Sequence, residues 1–459
     1  MASILISGGT IITMDSNRRV IRNGAVRVEN DRIVELGKAT QVGAQSQAES
    51  ELDASGMVVL PGLIDTHVHL AQALLRGCAD DISLIDWLQK FVWPLQGNFE
   101  AGDGRTSAEL CMLEMIKSGT TTFLESLLHS RYGFDGIAES VQKCGMRGFL
   151  SKTVMGLPGY GTEKSIMHPG MIEDAETCLH EVESHFKQWD GKANGRIRVW
   201  YGARSLGGCT KELYELIAKG AQELGTGVTM HLSEVQEDVR YAKKEFGMMP
   251  AEFMNKVGLA GRNVVFAHGV WLTESEWAIL ARKGAHVAHC PSSNMKLSSG
   301  IASIPEMMKA GVNVSLGCDG GPSNNCYDMM REMKAASLLQ KVRTMDPLTM
   351  SAGTVLEMAT IKGARAVGLE RQIGSIEVGK KADLIVVDMR KPHLTPTFNP
   401  ISNIVYAGEG SDVDTTIIDG KIVMENRVVK TLEEEKVLRV ASERAVRLLE
   451  RVGLNIVPN

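Results

Sequence analysis

The sequence predicts an α/β chain: a (β/α)8 TIM-like barrel inserted into a small β-sandwich that both chain ends build. Three observations carry this. Before Val58 the chain reads as short strands, Ser3–Ile6, Thr10–Met14, Ala25–Glu29 and Arg32–Gly37, separated by Gly-Gly, Asp-Ser-Asn and Asn-Asp turns. From Val58 onward, apolar strands alternate with amphipathic stretches of helical length, which calls for a parallel sheet with covered faces; the length of the alternation favours closure. After Gly379 the strands return as Ala382–Asp388, Asn403–Ala407 and Thr415–Val428.

The barrel strands read as Val58–Ile64, Ile197–Tyr201, Val228–His231, Val264–His268, Ala285–His289 and Val312–Gly317, and the helices include Ala108–Lys117, Lys211–Leu224, Pro250–Val257, Thr273–Lys283 and Ile304–Ala310. The expected organisation is residues 1–58 and 374–430 in the sandwich and 59–373 in the barrel. Residues 431–459 would form a terminal helix and tail, opened by a capping box of Thr431 and Glu434.

Composition excludes several classes. The chain has 459 residues, 44% hydrophobic and 23% charged, with a net charge of −5, so no basic field invites nucleic acid or anionic lipid. No apolar run reaches the roughly 18–20 residues of a membrane span, and the N-terminus has no secretory pattern. The eight cysteines are scattered with no Cys-x-x-Cys pair, which fits reduced thiols and a cytoplasmic setting. The expected partner is a small-molecule substrate, in a homo-oligomer of two or more copies.

The chemistry sits at strand ends. In Pro-Gly-Leu-Ile-Asp-Thr-His67-Val-His69, residues two apart point the same way, so two imidazoles can share one ion. His231, His268 and Asp319 end three further apolar strands, at the rim where barrel enzymes place reactive groups. An aspartate after Val-Ser-Leu-Gly-Cys is costly to bury unless it is paired or on a metal. Met329, Met330 and Met333 read as core, and Cys318 as a small filler.

With these motifs, His-Leu-Ser-Glu234, Ala-His268-Gly, His289-Cys-Pro-Ser-Ser-Asn294 and Gly374-Ser-Ile-Glu-Val-Gly-Lys-Lys-Ala-Asp, the chain resembles the amidohydrolase superfamily. The likeness is greatest to its hydrolytic deaminase and chlorohydrolase branch, which holds methylthioadenosine/S-adenosylhomocysteine, guanine and 8-oxoguanine deaminases and triazine hydrolases. The resemblance implies His67, His69, His231 and Asp319 as ligands of one divalent metal per chain, Zn2+ with Fe2+ as the alternative. No lysine stands where a bridging carbamate would be expected, in Gly-Thr-Thr-Thr-Phe-Leu-Glu125. It implies attack by hydroxide generated at the metal. Glu234 would shuttle a proton to a ring nitrogen, Asp319 would orient the nucleophile and pass a proton to the leaving group, and His268 would hydrogen-bond the reacting centre.

Substrate contacts are expected from Gln72, Arg204, His289, Ser323 and Trp87, the last reading equally as a packing aromatic. Arg204 stands where the nucleoside-specific branch has histidine, whereas Asp-Gly-Gly-Pro-Ser323-Asn-Asn resembles that branch. The leading function is deamination of a purine-like or other N-heterocyclic amine. A nucleoside deaminase, a triazine hydrolase displacing chloride or an amine, and a non-catalytic binding protein are the other readings.

Overall fold

The computed structural model describes residues 3–42, 48–162 and 164–454. The last residues of the expected C-terminal tail, 455–459, lie outside the described residues.

The N-terminal strands are β1 (Ser3–Ile12), β2 (Val20–Glu29), β3 (Arg32–Lys38), β4 (Ser50–Asp53) and β5 (Met57–Pro61). The barrel strands follow as β6 (Leu63–His69), β7 (Thr120–Glu125), β8 (Arg147–Val154), β9 (Ile197–Ala203), β10 (Val228–Leu232), β11 (Val264–His268), β12 (His286–His289), β13 (Asn313–Leu316) and β14 (Asp319–Gly320). Four more, β15 (Leu384–Asp388), β16 (Val413–Ile418), β17 (Lys421–Glu425) and β18 (Val428–Val429), return to the first group. Both chain ends thus share one mixed sheet of order β18-β17-β16-β15-β5-β1-β2-β3, with β4 beside β1. It wraps its own core of Ile6, Ile11, Val26, Val28, Val59, Leu384, Val386 and Ile417.

The second sheet is parallel, from β6 through β13. Its closure comes from β14, the continuation of β13 beyond Gly317-Cys318, which pairs with β6 through Asp319↔Val68 and Gly320↔His69. Thr66 seals the same seam, its hydroxyl 2.7 Å from Ser315 Oγ and 2.8 Å from the Leu316 carbonyl. Gly317 allows this approach, because a Cβ there would lie 2.7 Å from His67 Cβ. Among the described residues, no helix is long and apolar enough to cross a membrane, and all eight cysteines are free thiols.

Four local expectations need correction. Val58–Ile64 is two strands, because Gly62 passes so close to Thr121 that a Cβ would sit 2.2 Å from its hydroxyl; β5 belongs to the mixed sheet and β6 to the barrel. Ser3–Ile6 and Thr10–Met14 fall on one irregular strand, Ser3–Ile12, rather than two. Asn403–Ala407 is helical: Pro400–Tyr406 forms a helix with Pro at its start, and Asn399 Oδ1 accepts the Ile401 and Ser402 amides. That cap outweighs the β-propensity of Ile-Val-Tyr. The terminal helix is Glu434–Val452, without the capping box. Thr431 donates to the Cys144 carbonyl, and Glu434 takes the Lys117 ammonium instead.

Candidate active site at the barrel mouth

The C-terminal ends of β6, β10 and β11, with Asp319 at the start of β14 just beyond the end of β13, deliver five groups to one point. One ligand atom each from His67, His231, His268 and Asp319 falls within 4.8 Å of the others. His69 joins them, its Nε2 lying 3.1 Å from His231 Nε2 and 3.1 Å from Asp319 Oδ1. His67 Nε2 is 3.4 Å from the same oxygen. Three backbone positions here are left-handed: Ser233, His268 and Asp319 have positive φ, at 52°, 70° and 65°. Such outliers cluster where function over-determines the backbone.

These residues fit a divalent cation. Both nitrogens of His67 and the Nδ1 of His231 are buried with no hydrogen-bond partner among the described residues. His69 Nδ1 faces the Ser126 carbonyl at 2.7 Å, so its Nε2 meets the His231 nitrogen as a lone pair, a contact that favours a cation between them. Burial pulls the His67 imidazole down to about 4. Burial, reinforced by the neighbouring histidines, carries His231 well below its ordinary value. Both are therefore neutral and able to ligate. Asp319 goes the other way: burial opposes ionisation, but the neighbouring His67 imidazole holds its carboxyl well below the usual range. Ser293 and Ser323 donate to its second oxygen at 2.6 and 3.0 Å.

Glu234 sits beside this cluster, nearly sealed from solvent. Its Oε2 accepts from the Tyr160 hydroxyl at 2.8 Å and lies 3.7 Å from His268 Nε2. Burial raises its carboxyl above the ordinary value, and the nearby Asp319 adds to this. His268 turns its other nitrogen to Asn294 Oδ1 at 3.0 Å. A carboxylate poised to gain and lose a proton next to a metal-ligand set can shuttle protons to and from a bound molecule.

A cavity opens onto the cluster. Gln72, Trp87 and Arg204 line it. Gln72 lies against Gly320, where a Cβ would come 1.8 Å from its Oε1, and that oxygen is buried without a partner among the described residues. Trp87 likewise has a buried Nε1 with no partner among the described residues. Arg204 has its guanidinium carbon 5.9 Å from the Trp93 ring and 5.8 Å from the Tyr160 ring. Ser323 and His289 stand elsewhere. The Ser323 hydroxyl is spent on Asp319, behind the cluster. His289 is fully buried, with neither ring nitrogen partnered among the described residues, and burial lowers it to about 3; neither residue lines the cavity.

Several residues absent from the sequence reading also face this cavity, Gln96, His129 and Tyr160 among them. None belongs to a recognisable spacing pattern. Gln96 ends a short helix begun by Trp93-Pro94, and Tyr160 lies in an irregular loop. His129 follows a strained turn after β7, in which Leu127 has φ of 76°.

Residues 58–423 match the amidohydrolase family. The chain is 40% identical over 453 residues to a 5'-deoxyadenosine deaminase of Methanosarcina acetivorans, covering 99% of this chain and all of that one. It is 42% identical over 444 residues to a 5-methylthioadenosine/S-adenosylhomocysteine deaminase of Moorella thermoacetica, covering 97% and 99%. Among solved structures, a zinc-bound adenosine deaminase from Xanthomonas campestris superposes with a TM-score of 0.91 at 27% identity, over 98% of this chain and 99% of that one. Motif, fold, site and relatives agree: the chain belongs to the amidohydrolase family, as a hydrolase acting on C–N bonds.

Proposed function

We propose that the protein is a metal-dependent deaminase that removes an exocyclic amine, as ammonia, from a purine-like or other N-heterocycle. The observation that carries this reading is Glu234, a buried carboxylate 3.7 Å from His268 and beside the His67–His69–His231–Asp319 set. Displacing ammonia from a heteroaromatic carbon requires a nucleophile, a proton on the ring nitrogen and a proton on the leaving amine.

His67, His69, His231 and Asp319 would hold one ion, zinc by the preference of imidazole-rich sites and by analogy with the zinc-bound relative. When bound, such an ion lowers the pKa of water to about 7 and so supplies a nucleophile at neutral pH. Glu234 carries the proton from the attacking water to the ring nitrogen, with Tyr160 steadying its Oε2. Asp319 orients the attacking water, takes up its second proton and passes that proton to the departing amine. His268 hydrogen-bonds the oxygen as charge develops on it. Gln72 and Arg204 hold the ring's polar edges.

Ammonia release from purified protein, over a panel of purines, nucleosides, pterins and triazines, tests the reading. Deamination of at least one compound is expected, and release of chloride alone would overturn it. The nucleoside relatives favour a second reading, a 5'-deoxyadenosine or methylthioadenosine/S-adenosylhomocysteine substrate, and the same panel separates the two. We also infer a cytoplasmic setting, supported by the free thiols. Assembly into a homo-oligomer is supported by the exposed apolar stripe Leu338, Val342, Met345 and Leu348.

A further inference from the structure

His129 is a buried cavity-wall residue that the proposed reaction does not use. Only 2% of it is exposed, and neither ring nitrogen has a hydrogen-bond partner among the described residues. Leaving both unpaired is costly, so such a side chain calls for a reason.

Its surroundings are built. Ser126 donates its amide to the Val68 carbonyl at 2.8 Å, Leu127 to Ser151 Oγ at 3.0 Å and Leu128 to the Ser151 carbonyl at 2.8 Å. These bonds force Leu127 into the left-handed region, a strained conformation for a bulky side chain. The same turn gives His69 its carbonyl partner and carries His129 to the cavity. Behind His129, Glu173 Oε1 lies 3.7 Å from Nδ1 and accepts the Ser130 amide at 2.6 Å. Glu173 is held in turn by Lys152, fully buried on β8, at 2.8 Å, and Lys152 also reaches Glu181 at 3.1 Å. A carboxylate on the Nδ1 side favours the proton there and leaves Nε2 as an acceptor.

Arg204 lines the same cavity and, among the described residues, has no carboxylate partner. The cavity-lining carboxylates are Glu234 and Asp319, both at the metal-ligand cluster. Away from that cluster the wall therefore offers a guanidinium donor and an imidazole acceptor, and no carboxylate to take a ribose diol. A donor and an acceptor on the wall of one cavity complement adjacent C=O and N–H groups, the edge of a lactam.

We propose that His129 is a specificity-determining residue that, with Arg204, reads a lactam edge of the substrate, and that Glu173 and Lys152 are its positioning residues. The substrate is then an oxo-substituted N-heterocycle rather than an adenine nucleoside. This deepens the deaminase reading and rests on it.

The test measures ammonia release by the metal-loaded enzyme from adenine, 5'-deoxyadenosine, 8-oxoadenine and guanine. Wild type should favour a lactam-bearing compound over adenine and 5'-deoxyadenosine by at least about 100-fold in kcat/KM, since a site built for a hydrogen-bonding group rejects analogues without it. His129→Phe should collapse that ratio with metal content unchanged. His129→Gln, which keeps an acceptor, should restore part of it. Glu173→Gln should lower the ratio through KM, a readout that a merely structural role would not move. If adenine or 5'-deoxyadenosine is turned over as well as the lactams, or if His129→Phe keeps the wild-type ratio, the inference is overturned while the deaminase reading stands. No ammonia from any of these compounds, or from the wider panel, would overturn both.

Discussion

His69 Nδ1 lies 2.7 Å from the carbonyl oxygen of Ser126, and a carbonyl can only accept. The proton is therefore on Nδ1, and Nε2 presents a lone pair toward His231 and Asp319. A main-chain atom fixes this tautomer, so no side-chain substitution elsewhere can release it without moving the turn after β7.

One divalent ion per chain follows from this donor set. Elemental analysis of purified protein should give close to one equivalent, and chelation should abolish activity that added Zn2+ restores. His231→Ala should lose most of its metal. Two ions per chain, both needed for turnover, would contradict the arrangement.

Ser293 and Ser323 hold the second oxygen of Asp319. Removing such outer partners weakens metal affinity by about 10- to 100-fold. Ser293→Ala, with the shorter of the two bonds, should show that loss in a chelator competition while its folded signal is unchanged. An affinity equal to wild type would mean that Ser323 alone suffices.

Glu234→Gln should keep the metal and lose activity. The amide fills the same space but cannot carry a proton, and general acid–base catalysis contributes about 100- to 10,000-fold. The fall should appear in kcat. Metal loss in this variant would make Glu234 a ligand instead of a proton carrier.

Arg204→Leu tests substrate holding. A loss of at least about 100-fold in kcat/KM, or about 2.7 kcal/mol, is expected with normal metal content. Full activity on the best substrate would leave Arg204 a structural residue stacked between Trp93 and Tyr160.

Arg147 joins barrel to sheet: buried at the start of β8, it bonds Asp383 at 3.0 and 3.2 Å and Asp419 at 3.4 Å. Arg147→Ala leaves two buried carboxylates short of a partner and should destabilise the fold by about 3–5 kcal/mol in denaturant titrations. Burial opposes ionisation of Asp419, yet Lys381, Asn194 and Arg147 hold its carboxyl below 3.8. A carboxyl depressed in the folded state stabilises above the unfolded value, and that stability is lost as pH falls through the folded one. The deficit of the variant should therefore be full near neutrality and narrow below pH ~4.

The sequence made the cluster legible because each member ends an apolar strand, where periodicity and polarity change together. His67 and His69 were readable from their spacing alone. β8 was not, since Arg147 and Lys152 interrupt its apolar run; both are buried and paired with distant residues, Arg147 with Asp383 and Lys152 with Glu173 and Glu181. His129 was silent for a related reason. Its place depends on the strained Leu127 and on Glu173, two loops away. Pro400–Tyr406 shows the reverse case, in which the Asn399-Pro400 cap signal was present and β-propensity overrode it in the reading.

The mixed sheet has one further consequence, for the order of synthesis. β5 pairs with β1 on one side and with β15 on the other, Pro61 opposite Leu384. The ribosome makes β5 long before β15; at roughly 5–20 residues per second the interval is some tens of seconds. Throughout it, Val58, Val59 and Leu60 present an unpaired apolar edge, the kind of edge that recruits foreign strands. The nascent chain is thus most exposed to aggregation while the barrel is still being made, and a chaperone that shields residues 57–61 would act before any catalytic residue of the barrel is in place.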